Sequence, residues 1–281
     1  MKHNYYFSGV FALLRVFLIS MSFVLAKKLD SNVSSMSILL IRSVFSFLLL
    51  TPIFIKQRTK IINTNRLGLH LLRGIFGSVA MFCIYYSTRR LPLALSSTIA
   101  MSLPLFITLL SCLILHESIK QKQWLLLILG YIGVTISLNP FQTSIVDSSI
   151  LLGILANIFL SLSVIVTKTL SKLDSASKIM FYYNLVLVLV PTIFNRDINI
   201  DVSYNDMLML FLIGLISACT QFFSIKSLSY STPSFVAPFE YTRLVFAIPL
   251  GFIFFGEHTN VHTLVGAAII IYSNIILAKI K

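Results

Sequence analysis

Leu91–Pro140 reads LPLALSSTIAMSLPLFITLLSCLILHESIKQKQWLLLILGYIGVTISLNP. Its first apolar run, Leu93 to Leu115, has 23 residues without a charge. A helix needs about 20 such residues to cross a hydrocarbon core. A polar link, His116 to Gln123, leads to a second uncharged run, Trp124 to Asn139. The stretch therefore reads as a membrane helical hairpin.

The same unit recurs 140 residues later, in Ser231 to Lys281. Glu117 falls on Glu257, each closing a long apolar run. The register extends backwards: Gly74 falls on Gly214, Gly77 on Ser217, Ser78 on Ala218 and Ser87 on Ser227. Upstream the spacing is 144, where Gly9 and Ala12 fall on Gly153 and Ala156, and KLDS at Lys28–Ser31 falls on KLDS at Lys172–Ser175. The order and near-constant offset of these identities argue for an internal duplication.

Composition agrees with a bilayer as solvent. Only 11% of residues are charged, against about 25% in soluble domains. The net charge of +13 would suggest nucleic acid in a soluble chain. Here the basic residues sit mostly in links between apolar runs, so nucleic acid is not expected as a partner. Cys83, Cys112 and Cys219 lie inside apolar runs and form no Cys-x-x-Cys pair. They read as packing residues, not metal ligands. Arg15 interrupts the first run and no small-x-small cleavage site follows, so the N-terminus reads as a retained helix.

Ten apolar segments follow from length and flanking charge: Phe7–Ala26, Ser34–Ile55, Leu67–Thr88, Leu93–Leu115, Trp124–Leu138, Ile150–Thr167, Ile179–Phe194, Met207–Ile225, Ser234–Phe255 and His262–Ala278. With the N-terminus inside, thirteen Lys and Arg fall on inner segments and five on outer links. That bias places both termini in the cytoplasm. Each copy holds five spans, an odd number, so the second enters the membrane the other way up. The expected fold is an all-α membrane protein of ten transmembrane helices, built as two inverted five-helix repeats, residues 7–139 and 150–278. Inverted repeats of this kind are common in secondary transporters.

LLRGIFG at Leu71–Gly77, LPLALSSTIAMSLPLF at Leu91–Phe106, His116-Glu-Ser followed by Trp124, and APFEYTRLVFAIPLGFIFFGE at Ala237–Glu257 carry a family resemblance. In these motifs the chain resembles the drug/metabolite transporter superfamily, in its ten-helix group built from two EamA domains. The family usually has Gly where His116 precedes Glu117, and many members lack an acid at the position of Glu240. The resemblance implies a multi-pass protein of the cell inner membrane with no cofactor. It also implies a small-molecule substrate such as an amino acid, a nucleotide-like metabolite, a drug or S-adenosylmethionine.

Charges in the membrane interior are costly, at about 2.5–3.5 kcal/mol on insertion scales. Arg15, Arg42, Arg73, Glu240 and Arg243 therefore need partners, water or solute. Glu240 and Arg243 are three apart and can pair along one helix face, with Ala247 and Gly251 continuing it. A zwitterionic solute would suit both, since each of its charges meets an opposite one. The alternative is a buried pair that fixes helix register and never meets solute. Arg42 can instead snorkel, and Arg15 can bond backbone carbonyls. These charges are not duplicated, which suits a ligand without a two-fold axis. Ser97, Met101, Pro104, Thr108 and Ser111 share one face of the fourth segment, which suits either a cavity or close helix packing. Tyr241 adjoins Glu240 and is expected at a cavity. Tyr85, Tyr86, Tyr182 and Tyr183 are expected in interface belts. The candidate substrate-binding set is Glu240, Tyr241, Arg243, Arg73, Met101, Gln221, Arg15 and Arg42. Glu117 and Glu257 are candidates for proton coupling, the alternative being a carboxylate that is solvated or paired with a neighbouring link. Coupling to a proton or a counter-substrate is expected. Membrane lipid is the remaining expected partner.

Other classes fit less well. All six Asp are assigned to links, so an aspartyl intramembrane protease lacks its pair. No Gly-x-Ser-Gly occurs, the five His are scattered, and no P-loop is present. A lipid or lipid-precursor flippase on the same fold is the nearest competitor to a solute transporter.

Overall fold

The computed structural model describes residues 4–29, 33–57, 61, 63–90, 99–138, 148–194, 203–256 and 261–279. Among these, every regular element is helical. The order is α1 Tyr5–Lys28, α2 Ser35–Lys56, α3 Leu67–Arg90, α4 Leu103–Leu115, α5 Gln121–Leu138, α6 Ser148–Ser171, α7 Ala176–Phe194 and α8 Tyr204–Tyr230. A four-residue helix, Pro233–Val236, and a 3-10 turn, Ala237–Tyr241, then lead into α9, Thr242–Phe255, and α10, Val261–Lys279.

Local chemistry starts these helices where the chain allows. Asn4 caps α1 by accepting from Phe7 N at 3.4 Å, and Ser34 caps α2 by accepting from Ser37 N at 3.0 Å. At α8 the Ser203 side chain accepts from Asp206 N at 3.2 Å and donates back to Asp206 Oδ2 at 2.7 Å. Asp206 thus lies in the first turn of α8, not in a link. Large apolar side chains such as Leu113, Leu151, Phe252 and Ile253 remain exposed. Such a surface is untenable in water and is what lipid requires. Seven described helical segments are long and apolar enough to cross a membrane, and Leu103–Leu115 and Leu264–Ser273 are shorter apolar helices. The chain is a multi-pass membrane protein.

Two expected spans are broken. Met101 and Ser102 form a turn ahead of α4, and Ala237–Tyr241 tightens into 3-10 geometry ahead of α9. Under the 140-residue offset, Tyr241 corresponds to Met101, so the two breaks overlap at matching positions. Pro104 sits in the first turn of α4 and Pro238 in the 3-10 turn, where missing N–H groups are tolerated. Ser97, the first residue of the expected polar face, lies outside the described residues. Met101, Pro104, Thr108 and Ser111 of that face are all buried.

Helix packing obeys an exchange of the two halves. α3 packs on α6 as α8 packs on α1, and α2 packs on α8 as α7 packs on α3. α4 meets α6 as α9 meets α1, while α2 meets α7 and α5 meets α10. The glycine echoes explain part of this. A methyl on Gly74 would lie 2.5 Å from Val186 Cβ, and one on Gly214 would lie 2.9 Å from Arg42 O. Arg42 and Val186 are 144 apart, so equivalent glycines meet equivalent positions. Gly9 and Gly153 do the same: their methyls would lie 3.3 Å from Phe239 and 3.0 Å from Ile99. Met101 and Tyr241, themselves equivalent, share one apolar cluster with Leu127, Leu244 and Ile270. Gly74→Ala and Gly214→Ala should each destabilise by about 1–3 kcal/mol through overpacking, read as thermal unfolding in detergent. A neutral result at both would contradict the close helix contacts.

The duplication also accounts for the unusual His116. It ends α4 with φ 53°, and its equivalent Gly256 ends α9 with φ 63°. Left-handed backbone costs a non-glycine residue about 1–2 kcal/mol. His116→Gly should therefore stabilise the protein, by about 1 kcal/mol after the extra freedom of the unfolded chain is counted. A lower melting temperature would contradict this.

Candidate functional site: a buried ion cluster between the halves

The 3-10 turn before α9 carries Glu240, which is 3% exposed. α1 runs close beside this turn because Gly9 faces Phe239. Arg15, two turns further along α1, pairs with Glu240 Oε1. Arg243, one turn on from Glu240, donates from Nη2 to Oε2 at 3.0 Å. The carboxylate therefore sits between two guanidiniums, one from each half. Both its oxygens are engaged, so it is not free to receive a solute ammonium. Arg243 keeps an unpartnered buried Nε, and its guanidinium lies 5.3 Å from the Phe23 ring centre.

The other candidates have different surroundings. Arg73 donates to Thr167 Oγ1 at 2.7 Å and to Ile179 O at 2.9 Å, and stands 4.1 Å over the Tyr183 ring. It clamps α3 to α6 and α7 and is not joined to the ion cluster. Arg42 is 7% exposed, with an unpartnered buried Nε, and faces the Tyr85 ring at 5.5 Å. Gln221 donates to Asn184 Oδ1 at 3.2 Å and leaves its own Oε1 unpartnered. Tyr241 points away from Glu240. It is fully buried against Gly130 and donates to Leu127 O at 3.2 Å. Met101 packs in the same apolar cluster. Tyr182 and Tyr183 are buried, not in an interface belt, because Tyr182 lies 4.6 Å from the His70 ring and Tyr183 fills the space left by Gly77. The side chain of Ala247 and all of Glu257 lie outside the described residues.

At one end the helices are tied together. Asn4 N donates to Tyr230 O at 3.2 Å, and Ser8 and Ser227 exchange hydrogen bonds through Oγ and carbonyl oxygens at 3.0 and 2.9 Å. Lys168, 4% exposed, donates to Leu228 O at 2.6 Å and to Ser231 O at 2.5 Å. Glu117 accepts from Ser111 on α4 and from Ser234, the latter at 2.7 Å. Asp174, in the link from α6 to α7, lies 3.0 Å from His70 Nε2 and 2.8 Å from Lys178 Nζ. Burial pushes its pKa up, but these two partners outweigh that and hold it below the ordinary value. A cleft at this end, lined by Ser171, Asp174, Ser175, Ile225, Lys226 and Tyr230, includes no member of the ion cluster.

Sequence reasoning missed Lys168, Asn157 and Asn184. Lys168 was assigned to a link but lies within α6. Asn157 donates to Ile99 O at 2.5 Å and Ser102 Oγ at 2.9 Å, holding the break before α4. A polar amide inside an apolar run is a signal that could have found both asparagines.

Comparison with known proteins agrees with this architecture. A solved crystal structure superposes with a TM-score of 0.79 over 95% of this chain and 94% of its own, at 12% identity. The pseudopaline exporter CntI of Pseudomonas aeruginosa is 28% identical over 279 residues, covering 98% of this chain and 97% of the relative. The S-adenosylmethionine uptake transporter of Rickettsia prowazekii is 27% identical over 267 residues, covering 95% and 90%. These relatives are transporters, not enzymes. The EamA-like transporter family matches residues 7–139 and 147–278. Both halves carry its pattern, and the chain belongs to that family.

Proposed function

We propose that this chain is a secondary transporter of a small, carboxylate-bearing organic metabolite, amino-acid-like or S-adenosylmethionine-like, across the cell inner membrane. Its ten helices form two inverted halves, with both termini cytoplasmic. The observation that carries the reading is the Arg15–Glu240–Arg243 cluster, which joins α1 of one half to α9 of the other. A solute carboxylate takes up Arg243, whose Nε is without a partner. Glu240 holds both guanidiniums in place between transport events.

Alternating access follows from the exchange symmetry. The end near the N-terminus is closed by the α1–α8 and α6–α8 hydrogen bonds. Exchanging the packing roles of the halves closes the opposite end and opens this one. One relative is named an exporter and another an uptake transporter, so the family serves both directions. Uptake in proteoliposomes across amino acids, S-adenosylmethionine and nucleosides tests the reading. Expected is saturable, trans-stimulated uptake of a carboxylate-bearing solute that lipid analogues do not compete away. Competition by lipid and no solute uptake would favour a flippase instead.

A further inference from the structure

The buried charges do not balance. Arg15, Arg42, Arg73, Lys168 and Arg243 stand within the helices against Glu240 and, in the first turn of α8, the buried Asp206. Glu240 serves Arg15 and Arg243, Arg73 and Lys168 bond to hydroxyl and carbonyl oxygens, and Asp206 accepts from Ser203. Arg42 is 7% exposed, has no ion pair or hydrogen bond among the described residues, and meets only the face of Tyr85. A buried guanidinium with so little compensation is expensive. An aromatic face offsets only part of that. A ligand anion would supply the rest.

Arg42 and Arg243 lie towards the same end of the bundle. Tyr85, the ring under Arg42, packs in an apolar cluster that includes Leu29 at the end of α1. Phe23, the ring under Arg243, lies six residues earlier on α1, about 9 Å along a helix axis. Arg42 and Arg243, each with an unpartnered buried Nε, thus stand at similar depth in the bundle. Gln221 Oε1, on α8, is also buried and without a partner.

We infer that the solute is net anionic: an amino-acid-like molecule with two carboxylates, one on Arg243 and the second on Arg42. This rests on the transporter reading and adds its substrate class. Arg42 is then the residue that selects for the second carboxylate. A solute carrying net positive charge, S-adenosylmethionine included, would add to an existing excess of cations and be rejected, which narrows the proposed function to its amino-acid-like class.

Three probes isolate the charge, because they share a six-carbon 2-amino-acid skeleton. They are 2-aminoadipate, norleucine and lysine, ending in a carboxylate, a methyl and an ammonium. Each is assayed on the purified full-length protein, by thermal stabilisation in detergent and by counterflow in proteoliposomes. Expected is half-maximal effect with 2-aminoadipate at a concentration at least tenfold lower than with norleucine, and lysine weakest. Arg42→Gln should cut that preference to about twofold while leaving norleucine unchanged, and Arg42→Lys should restore part of it. Lysine acting as well as 2-aminoadipate would overturn the inference. So would an Arg42→Gln protein that folds and loses all three probes equally. Counterflow without anion preference would refute the substrate class and leave the transporter reading intact. Anion-selective stabilisation without counterflow would do the reverse. Neither binding nor counterflow with any probe would overturn the substrate class.

Discussion

Replacing Glu240 with glutamine is expected to destabilise the protein by about 3–5 kcal/mol, the range for removing one partner of a buried ion pair. The change strands Arg15 and Arg243 together, since both pair with the same carboxylate. The pair Glu240–Arg243 alone, three apart on one chain segment, would be worth only about 0.2–0.5 kcal/mol to an isolated helix. The large effect comes from burial and from the contact with Arg15 across the halves. Arg15→Gln combined with Glu240→Gln should be less damaging than Glu240→Gln alone, because one stranded cation goes with its partner. Thermal unfolding in detergent and abundance in the membrane both read this. A Glu240→Gln protein as stable as the parent would show that the cluster does not hold α1 to α9.

The second large effect is expected at Lys168. Its ammonium ties α6 to Leu228 O and Ser231 O, in the last turn and at the C-cap of α8, at the end near the N-terminus. A cation there also complements the helix C-terminus. Hydrogen bonds to a charged group contribute about 1.5–3 kcal/mol each. Lys168→Met should therefore shift the population towards the state open at this end. A cysteine at Ala12, which is fully buried beside Leu228 and Phe235, reports the opening in a background without Cys83, Cys112 and Cys219. Labelling by an impermeant thiol reagent should be at least tenfold faster with Lys168→Met. Equal rates would mean that this contact does not close the end.

Much of the fold is legible in the sequence because the bilayer dictates run length. The apolar runs mark ten helical segments, and the paired glycines mark where helices touch. Gly74 and Gly214 are informative since a methyl at either would strike the facing helix. The breaks before α4 and α9 are not legible from run length. An apolar run reads the same whether its backbone is α-helical or tightened to 3-10, and the prolines near the two breaks, Pro104 and Pro238, do not correspond to each other. Lys168 was misplaced because α6 continues to Ser171, four residues beyond the expected end. Its burial depends on α8 carbonyls 60 and 63 residues away. Of the site, the charged residues were legible one by one as costs needing a partner. That Arg15 meets Glu240, across 225 residues, is a tertiary fact that no local spacing encodes. The burial of Tyr182 and Tyr183 was hidden for the same reason, since it depends on His70 and Gly77 of α3.

Alternating access is the central claim, and a lock on the closed end tests it most directly. Ser8 Oγ and Ser227 Oγ are 3.3 Å apart, on α1 and α8. Cysteines at both positions, in a background without the native three, are close enough for a disulfide. Solute exchange is then measured in proteoliposomes before oxidation, after it, and after reduction. The account predicts that oxidation abolishes exchange, that reduction restores it, and that solute still stabilises the locked protein from the open side. Undiminished exchange with the disulfide fully formed would contradict it.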